Sequence, residues 1–273
     1  MSVYRITGLK AAIDGMTCLR EWNIALTGID TAAVCSASDG AVLRGTGNLD
    51  WTGKAVGYGL PSKYPGDIFT FTGSDRAGAG WQSAANGTIV SKVRVVCPIM
   101  SGTNIYHEIE FAATGSLTKG SSAATDATNP NPLSSKGLGF NLDSGTVRGV
   151  EFWVLEIDGN LTKPSWPSHM EGWPVRDAGN VDAMIQWRQT FDAMSQIPAT
   201  NTFYNIQPYT SATLYYEMQW GQVLATSVEY PIEGKPPGEA EYIKATCTAM
   251  FSGYKDGIKG YLKKPGGTAY WPA

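Results

Sequence analysis

The sequence predicts a mainly β protein, built as two tandem sandwich-like or barrel-like domains with long loops and few short helices. Three observations carry that prediction. Apolar and polar residues alternate with a period of two, the spacing that sends successive side chains to opposite faces of a strand. Glycine is plentiful (32 of 273 residues) while charged residues make up only 16%, a profile that favours turns and buried sheet surface over solvated helices. The chain also follows one script twice, at offsets of about 130 to 137 residues.

Each half opens with an acidic and aromatic strand, Glu21-Trp22-Asn23-Ile24 in the first and Glu151-Phe152-Trp153-Val154 in the second. A long loop follows in each, expected over Gly28 to Gly47 and over Asn160 to Gly179. A second strand then begins with Gly47-Asn48-Leu49-Asp50-Trp51 or Gly179-Asn180-Val181-Asp182-Ala183. Further strands are read from Pro65 and from Ala199, and each half closes with a hairpin, from Ser91 and from Thr226. In the first of these hairpins Ile105, His107, Ile109 and Phe111 share one face and Tyr106, Glu108 and Glu110 the other. Helical spacing competes at Val181–Met194 and Ser211–Trp220, so a short helix in each half is expected. Gly120 to Phe140, rich in Ser, Ala, Asn and Pro, reads as a linker. The predicted domains are therefore 1–140, linker included, and 141–273.

Composition narrows the function. At 42% hydrophobic content the chain can fill a core. A formal charge of −3 and a pI near 5.5 argue against a basic groove gripping phosphates. No apolar run approaches the ~18 residues of a membrane helix, and charges interrupt the segment where a signal peptide carries its apolar run. The expectation is a protein made in the cytoplasm, without a membrane anchor. Cys18, Cys35, Cys97 and Cys247 show no metal-binding spacing, so reduced, mostly buried thiols are expected. The sequons at Asn86 and Asn160 are then chance matches.

Chemistry for catalysis is thin. The two histidines, His107 and His169, lie in different halves, and neighbours along a strand face opposite ways, so His107 forms no cluster with Glu108 and Glu110. The acidic pairs Glu108/Glu110 and Glu239/Glu241 occupy equivalent hairpin strands. Such pairs could serve a glycosidase, but on a wet strand face they read more simply as lumen or interface carboxylates. There is no phosphate loop and no nucleophile elbow. No catalytic residue, metal or cofactor is predicted. Trp22, Trp51, Trp166, Trp173, Trp220 and Trp271 leave open a carbohydrate-binding platform, with core packing or subunit contacts as the other explanation.

The order of these segments resembles the tail tube (major tail) proteins of long-tailed bacteriophages and the related tube proteins of contractile injection systems. The resemblance is carried by Glu21-Trp22-Asn23-Ile24, the long loop Gly28 to Gly47, Asn48-Leu49-Asp50-Trp51-Thr52-Gly53, and Tyr106-His107-Glu108-Ile109-Glu110-Phe111 with Gly115. It covers nearly all of the first half. The second half matches in order more than identity: Ala183 stands where the first half has Trp51, with Trp187 close by. The resemblance implies a β-sandwich or barrel-like domain with a flanking helix, six of which close into a ring around a channel. A chain holding two such domains would make the ring as a homotrimer, and rings would stack, with the long loops reaching the next ring. Asp30, Asp39, Arg44, Lys163, Trp166, Trp173 and Arg176 are the expected ring-to-ring residues. Implied partners are further copies of the chain, tape-measure, baseplate and terminator proteins, and double-stranded DNA passing without specific binding, in a virion tail. A capsid decoration protein, a baseplate or terminator ring, and a β-sandwich sugar binder or hydrolase are the competing readings.

Overall fold

The structure, a computed structural model, describes residues 2–13, 19–33, 43–75, 77–120, 133–143, 145–167, 173–191, 197–229, 243–267 and 269–271. Among them there is strand, turn and irregular chain and no α-helix. The first half supplies β1 (Ser2–Ile13), β2 (Leu19–Ala33), β3 (Leu43–Tyr58), β4 (Ile68–Phe69), β5 (Phe71–Asp75), β6 (Gly80–Ser83), β7 (Thr88–Cys97), β8 (Tyr106–Ala113) and β9 (Leu117–Gly120). The second supplies β10 (Phe140–Leu142), β11 (Gly145–Thr146), β12 (Val150–Asp158), β13 (Asp182–Phe191), β14 (Phe203–Pro208), β15 (Glu217–Glu229) and β16 (Ile243–Phe251). Four short strands complete it: β17 (Tyr254–Lys255), β18 (Ile258–Lys259), β19 (Leu262–Lys263) and β20 (Ala269–Trp271).

The chain forms two compact units, and neither is continuous in sequence. Unit 1 comprises Met1–Val93, His107–Asn131 and Asp158–Asn180; unit 2 comprises Arg94–Tyr106, Pro132–Ile157 and Val181–Ala273. A single cut near residue 140 therefore does not separate them. Residues 94–106 fold with the second half, and the excursion 158–180 folds with the first. Composition marks a segment as loop-like, but where its backbone groups find partners decides its unit. The Gly159 amide donates to the Ser91 carbonyl at 2.8 Å, and the Arg176 amide to the Thr114 hydroxyl at 3.3 Å, both inside unit 1. The end of the expected linker likewise belongs to unit 2, where the Ser135 hydroxyl donates to the carbonyls of Pro98 and Thr103.

In unit 1 the pairing runs β9–β6–β5–β1–β2–β3, antiparallel throughout, and β3 also pairs with β8. Alternation along β2 and β8 points Trp22, Ile24, Ile109 and Phe111 inward. There they meet Trp51, Phe69 and Phe71: ring centroids are 5.2 Å apart for Trp22–Phe71, 5.5 Å for Phe71–Phe111, 5.6 Å for Phe69–Phe111 and 6.2 Å for Trp51–Phe111. Each such pair contributes about 0.5–1.5 kcal/mol beyond the burial of its area. Gly53 makes the cluster possible, because a Cβ there would lie 2.2 Å from the Phe111 ring.

In unit 2 the pairing runs β11–β10–β14–β15–β16–β13, with β19 and β20 added beside β15. Trp187 packs on Phe140 at 5.2 Å and Trp153 on Tyr216 at 6.3 Å. Trp187 thus fills the core that Trp51 fills in unit 1, from a different position of the repeated strand. The helix expected at Val181–Met194 is instead β13 through Phe191. Ala183, Ile185, Trp187, Gln189 and Phe191 are all buried, and that period-two pattern outweighs local helical spacing. Of Ser211–Trp220, the first residues form a turn in which the Thr210 hydroxyl donates to Leu214 O at 3.1 Å, and the rest enter β15.

Candidate functional site

The long excursions after the first strand of each half are paired arms. In the first half, β2 and β3 pair from Leu19↔Gly57 to Ala33↔Leu43, with register shifts between Leu19 and Glu21 and between Gly28 and Asp30, so the described part of Gly28 to Gly47, expected as loop, is two-stranded ribbon. A two-stranded ribbon pairs the backbone groups that face its partner strand and leaves those along its two outer edges to water or to another strand. In the second half the legs of residues 159–179 are tied at Gly179–Gly159 (3.0 Å), Thr162–Asp177 (3.0 Å) and Ser165–Val175 (3.1 and 2.8 Å).

The second arm is fastened to unit 1 by Arg176. This side chain is 8% exposed; its Nη2 donates to Asp50 Oδ2 at 2.6 Å and its Nη1 to the Ala113 carbonyl at 2.7 Å. Asp50 also accepts the Trp51 amide at 2.7 Å through Oδ1. Beside the pair is an open hollow of ≈ 410 Å³ lined by Asn23, Thr52, Lys54, Ser91, Glu110 and Arg176 among others. The hollow lies on the polar side of β2, β3 and β8, opposite the aromatic core. On the same side Lys54 Nζ meets Glu108 Oε2 at 2.7 Å.

Unit 2 repeats the arrangement of an apolar face and a charge-compensated one. Arg188 on β13 reaches Glu151 on β12 (3.3 Å) and Glu229 on β15 (2.6 Å), and Lys244 on β16 reaches Glu151 (3.2 Å). Four strands are thereby crossed by alternating charge. Because these groups are partly exposed, each pair is worth at most about 1 kcal/mol; their consequence is a face that carries polarity with little net charge.

A second polar cluster is buried under β19. Glu217 is 7% exposed and accepts hydrogen bonds from Tyr261 Oη (2.9 Å), Asn205 Nδ2 (3.0 Å) and Lys263 Nζ (3.0 Å). Burial raises the carboxyl pKa, but those three donors and the Lys263 charge outweigh it and hold the group below its ordinary value. Lys263 is correspondingly held up, chiefly by its bond to Glu217. His107 is fully buried with Nδ1 2.9 Å from the Gly59 carbonyl. Burial pushes its pKa down to about 4, so it stays neutral and enclosed, out of reach of a substrate.

The structure brings together three of the residues singled out from sequence: Arg176, Glu110 and, one step along β8, Glu108. Arg176 is engaged inside its unit, which removes it from the set available to a neighbouring ring. Lys163 is exposed, and Trp166 and Trp173 are half-buried on the arm. Asp30 and Arg44 stand on the β2–β3 ribbon, opposite Thr46 and Ala32, and Asp39, His169, Glu239 and Glu241 lie outside the described residues. Trp22 and Trp51 are core residues, 2% and 1% exposed, which takes them out of any sugar platform. Asp50, Lys54, Arg188 and Glu217 were not singled out. Asp50 had a signal, its place in the repeated Gly-Asn-x-Asp; Glu217 had none, since its partners are scattered over β14, β19 and Tyr261 just before β19. No family model matches the chain, and no curated protein matches it.

Proposed function

We propose that the chain is a structural, non-catalytic subunit of a bacteriophage tail tube, three copies of which close into a pseudo-sixfold ring that stacks into the conduit for the genome. The observation that carries this reading is the repeated sheet with one aromatic face and one charge-compensated face, Lys54–Glu108 in unit 1 and Glu229–Arg188–Glu151–Lys244 in unit 2. Such a face suits a channel wall that DNA slides along. Paired charges present polarity to hydrated phosphates without the excess of Lys and Arg that would hold them. Head-to-tail closure gives the sheets no free edge at which to aggregate.

On this reading the protein is made in the host cytoplasm and ends in the virion tail. Its partners are its own copies, the tape-measure, baseplate and terminator proteins, and double-stranded DNA in transit. Electron microscopy of the concentrated protein tests it. Hollow rings of three two-lobed subunits that stack into filaments are the expected result. Single rings that never stack would favour a baseplate or terminator ring instead, and a monomer that remains unassembled even with tail components present would overturn the reading.

A further inference from the structure

The buried ion pair of unit 2 opens onto a hollow. The space, ≈ 220 Å³ and partly open, is lined by Thr213, Tyr215, Glu217, Lys263 and Lys264, and by two glycines, Gly266 and Gly267. All of these residues belong to unit 2. Both walls are held by their own turns. On one, the Ser211 hydroxyl accepts the amides of Thr213 (3.3 Å) and Leu214 (3.0 Å), and the Thr210 amide donates to the Leu214 carbonyl at 2.8 Å. On the other, the Gly267 amide donates to the Lys264 carbonyl at 3.2 Å, with Gly266 in the left-handed region at φ 70°. A hollow set between fixed turns is formed before any ligand arrives, which removes part of the ordering cost of binding.

The hydrogen bonds of Glu217 are unevenly shared. Oε1 takes Tyr261 Oη at 2.9 Å, Asn205 Nδ2 at 3.0 Å and Gln207 Nε2 at 3.4 Å, whereas Oε2 takes Lys263 Nζ alone, at 3.0 Å, among the described residues. A carboxylate oxygen has two lone pairs and an ammonium three N–H groups, so Oε2 keeps an acceptor and Lys263 keeps donors. The Lys263 side chain is 37% exposed, so those donors can be reached. The Thr213 hydroxyl, also exposed, has no partner among the described residues. The wall therefore carries an acceptor, a cationic donor and a hydroxyl beside an aromatic ring, Tyr215, which packs on Tyr209 with centroids 4.9 Å apart.

We infer that this hollow binds a saccharide, one pyranose ring held through two adjacent hydroxyls by Glu217 and Lys263. Each hydroxyl of a diol both donates and accepts, which matches a carboxylate beside an ammonium. The carbon face of the ring suits Tyr215, and the glycines leave room for close approach to backbone. Glu217 in the wall disfavours an anion, and Lys263 with Lys264 disfavours a cation, so the fitting ligand is neutral and rich in hydroxyls. The volume is below the roughly 300–1,000 Å³ that encloses a drug-sized ligand, so one ring fits and a chain would extend into solvent. The lining holds one carboxylate, not the pair that glycoside cleavage uses, and the site holds its sugar without cutting it. The inference goes beyond the tube reading and does not rest on it.

Saturation-transfer NMR of the full chain tests this, with the methyl pyranosides of glucose, galactose, mannose and N-acetylglucosamine as probes. At least one should receive saturation, with a dissociation constant of about 1 mM, as expected for so small a ligand. Thr213→Val should weaken that binding about three- to tenfold and Glu217→Gln about tenfold or more, since charged acceptors bind more strongly than neutral ones. Gly267→Leu should abolish it by filling the hollow: a Cβ there meets only ordinary contacts at 3.7 Å, to Lys264. Neither Thr213 nor Gly267 bonds to the Glu217 cluster, so those two variants test the site even where Glu217→Gln unfolds, and circular dichroism on every variant separates the cases. Inorganic phosphate and methylammonium at the sugar's concentration should not displace it. Absence of saturation in all four probes, binding that persists at wild-type strength in both Thr213→Val and Gly267→Leu, or displacement by either ion would each overturn the inference.

Discussion

Arg176 Nη2 sits 2.6 Å from Asp50 Oδ2, across a separation of 126 residues. The bond fastens an arm that follows β12 in sequence to a strand of unit 1, and with the Ala113 carbonyl it occupies both ends of the guanidinium. Loss of either partner leaves a charge with little water around it. Arg176→Ala and Asp50→Ala should each cost about 3 kcal/mol, with the double variant costing less than the sum. Urea denaturation of the three variants measures the coupling.

His107 should make the fold acid-sensitive before its carboxylates do. Its ordinary value is 6.5 and the folded value about 4, so below pH 6.5 the unfolded chain takes up a proton that the native state refuses. Stability from this group is thus intact above pH 6.5 and falls as pH drops toward 4, by up to about 3 kcal/mol at roughly 1.4 kcal/mol per pH unit. Denaturation across that range should show the slope in wild type, and a flatter curve in His107→Gln. Equal slopes would mean that other groups carry it.

Glu217 acts in the opposite sense and lower on the pH scale. Its folded carboxyl is held below the ordinary 4.5, so its contribution is present above that value and disappears as pH falls through the folded one. Glu217→Gln keeps the shape but strips Lys263 of its counter-charge, and should cost about 1–3 kcal/mol at pH 7. The gap in Tm between variant and wild type should close on acidification; a gap that is constant with pH would mean that shape, not charge, is what the site needs.

Cys97 and Cys247 are free and buried, and burial pushes their pKa values up to about 12 and about 11. Thiolate is the reactive form, so neither should be alkylated by iodoacetamide in the native protein, and both should react in denaturant. Peptide mass mapping distinguishes the two states.

Gly53 gives the most direct probe of the unit 1 core. A methyl group there would meet the Phe111 ring at 2.2 Å and the Asn23 carbonyl at 3.0 Å. Gly53→Ala should therefore destabilise by about 1–3 kcal/mol, the usual cost of forcing a packed site apart, visible as a lowered urea midpoint.

Strand character was legible wherever one face of a strand is buried and the other wet, because that condition writes a period of two directly into the residues, as in Ile105 to Phe111 and Ile243 to Ala249. Repetition was legible because Gly-Asn-x-Asp recurs in both halves, inside β3 in the first and leading into β13 in the second. The helices were misread because Val181, Met184 and Ile185 satisfy helical spacing as well, and the pairing of β13 with β16 arbitrates. Nothing local could reveal that the arm 158–180 belongs with unit 1, or that Arg176 finds Asp50 and Glu217 finds Lys263. Those contacts join groups far apart in the chain, and their energy depends on burial and on distances of a few ångströms, neither of which leaves a periodic trace in the sequence. Local pattern thus determined what each segment is, and long-range desolvation and charge pairing decided where it goes.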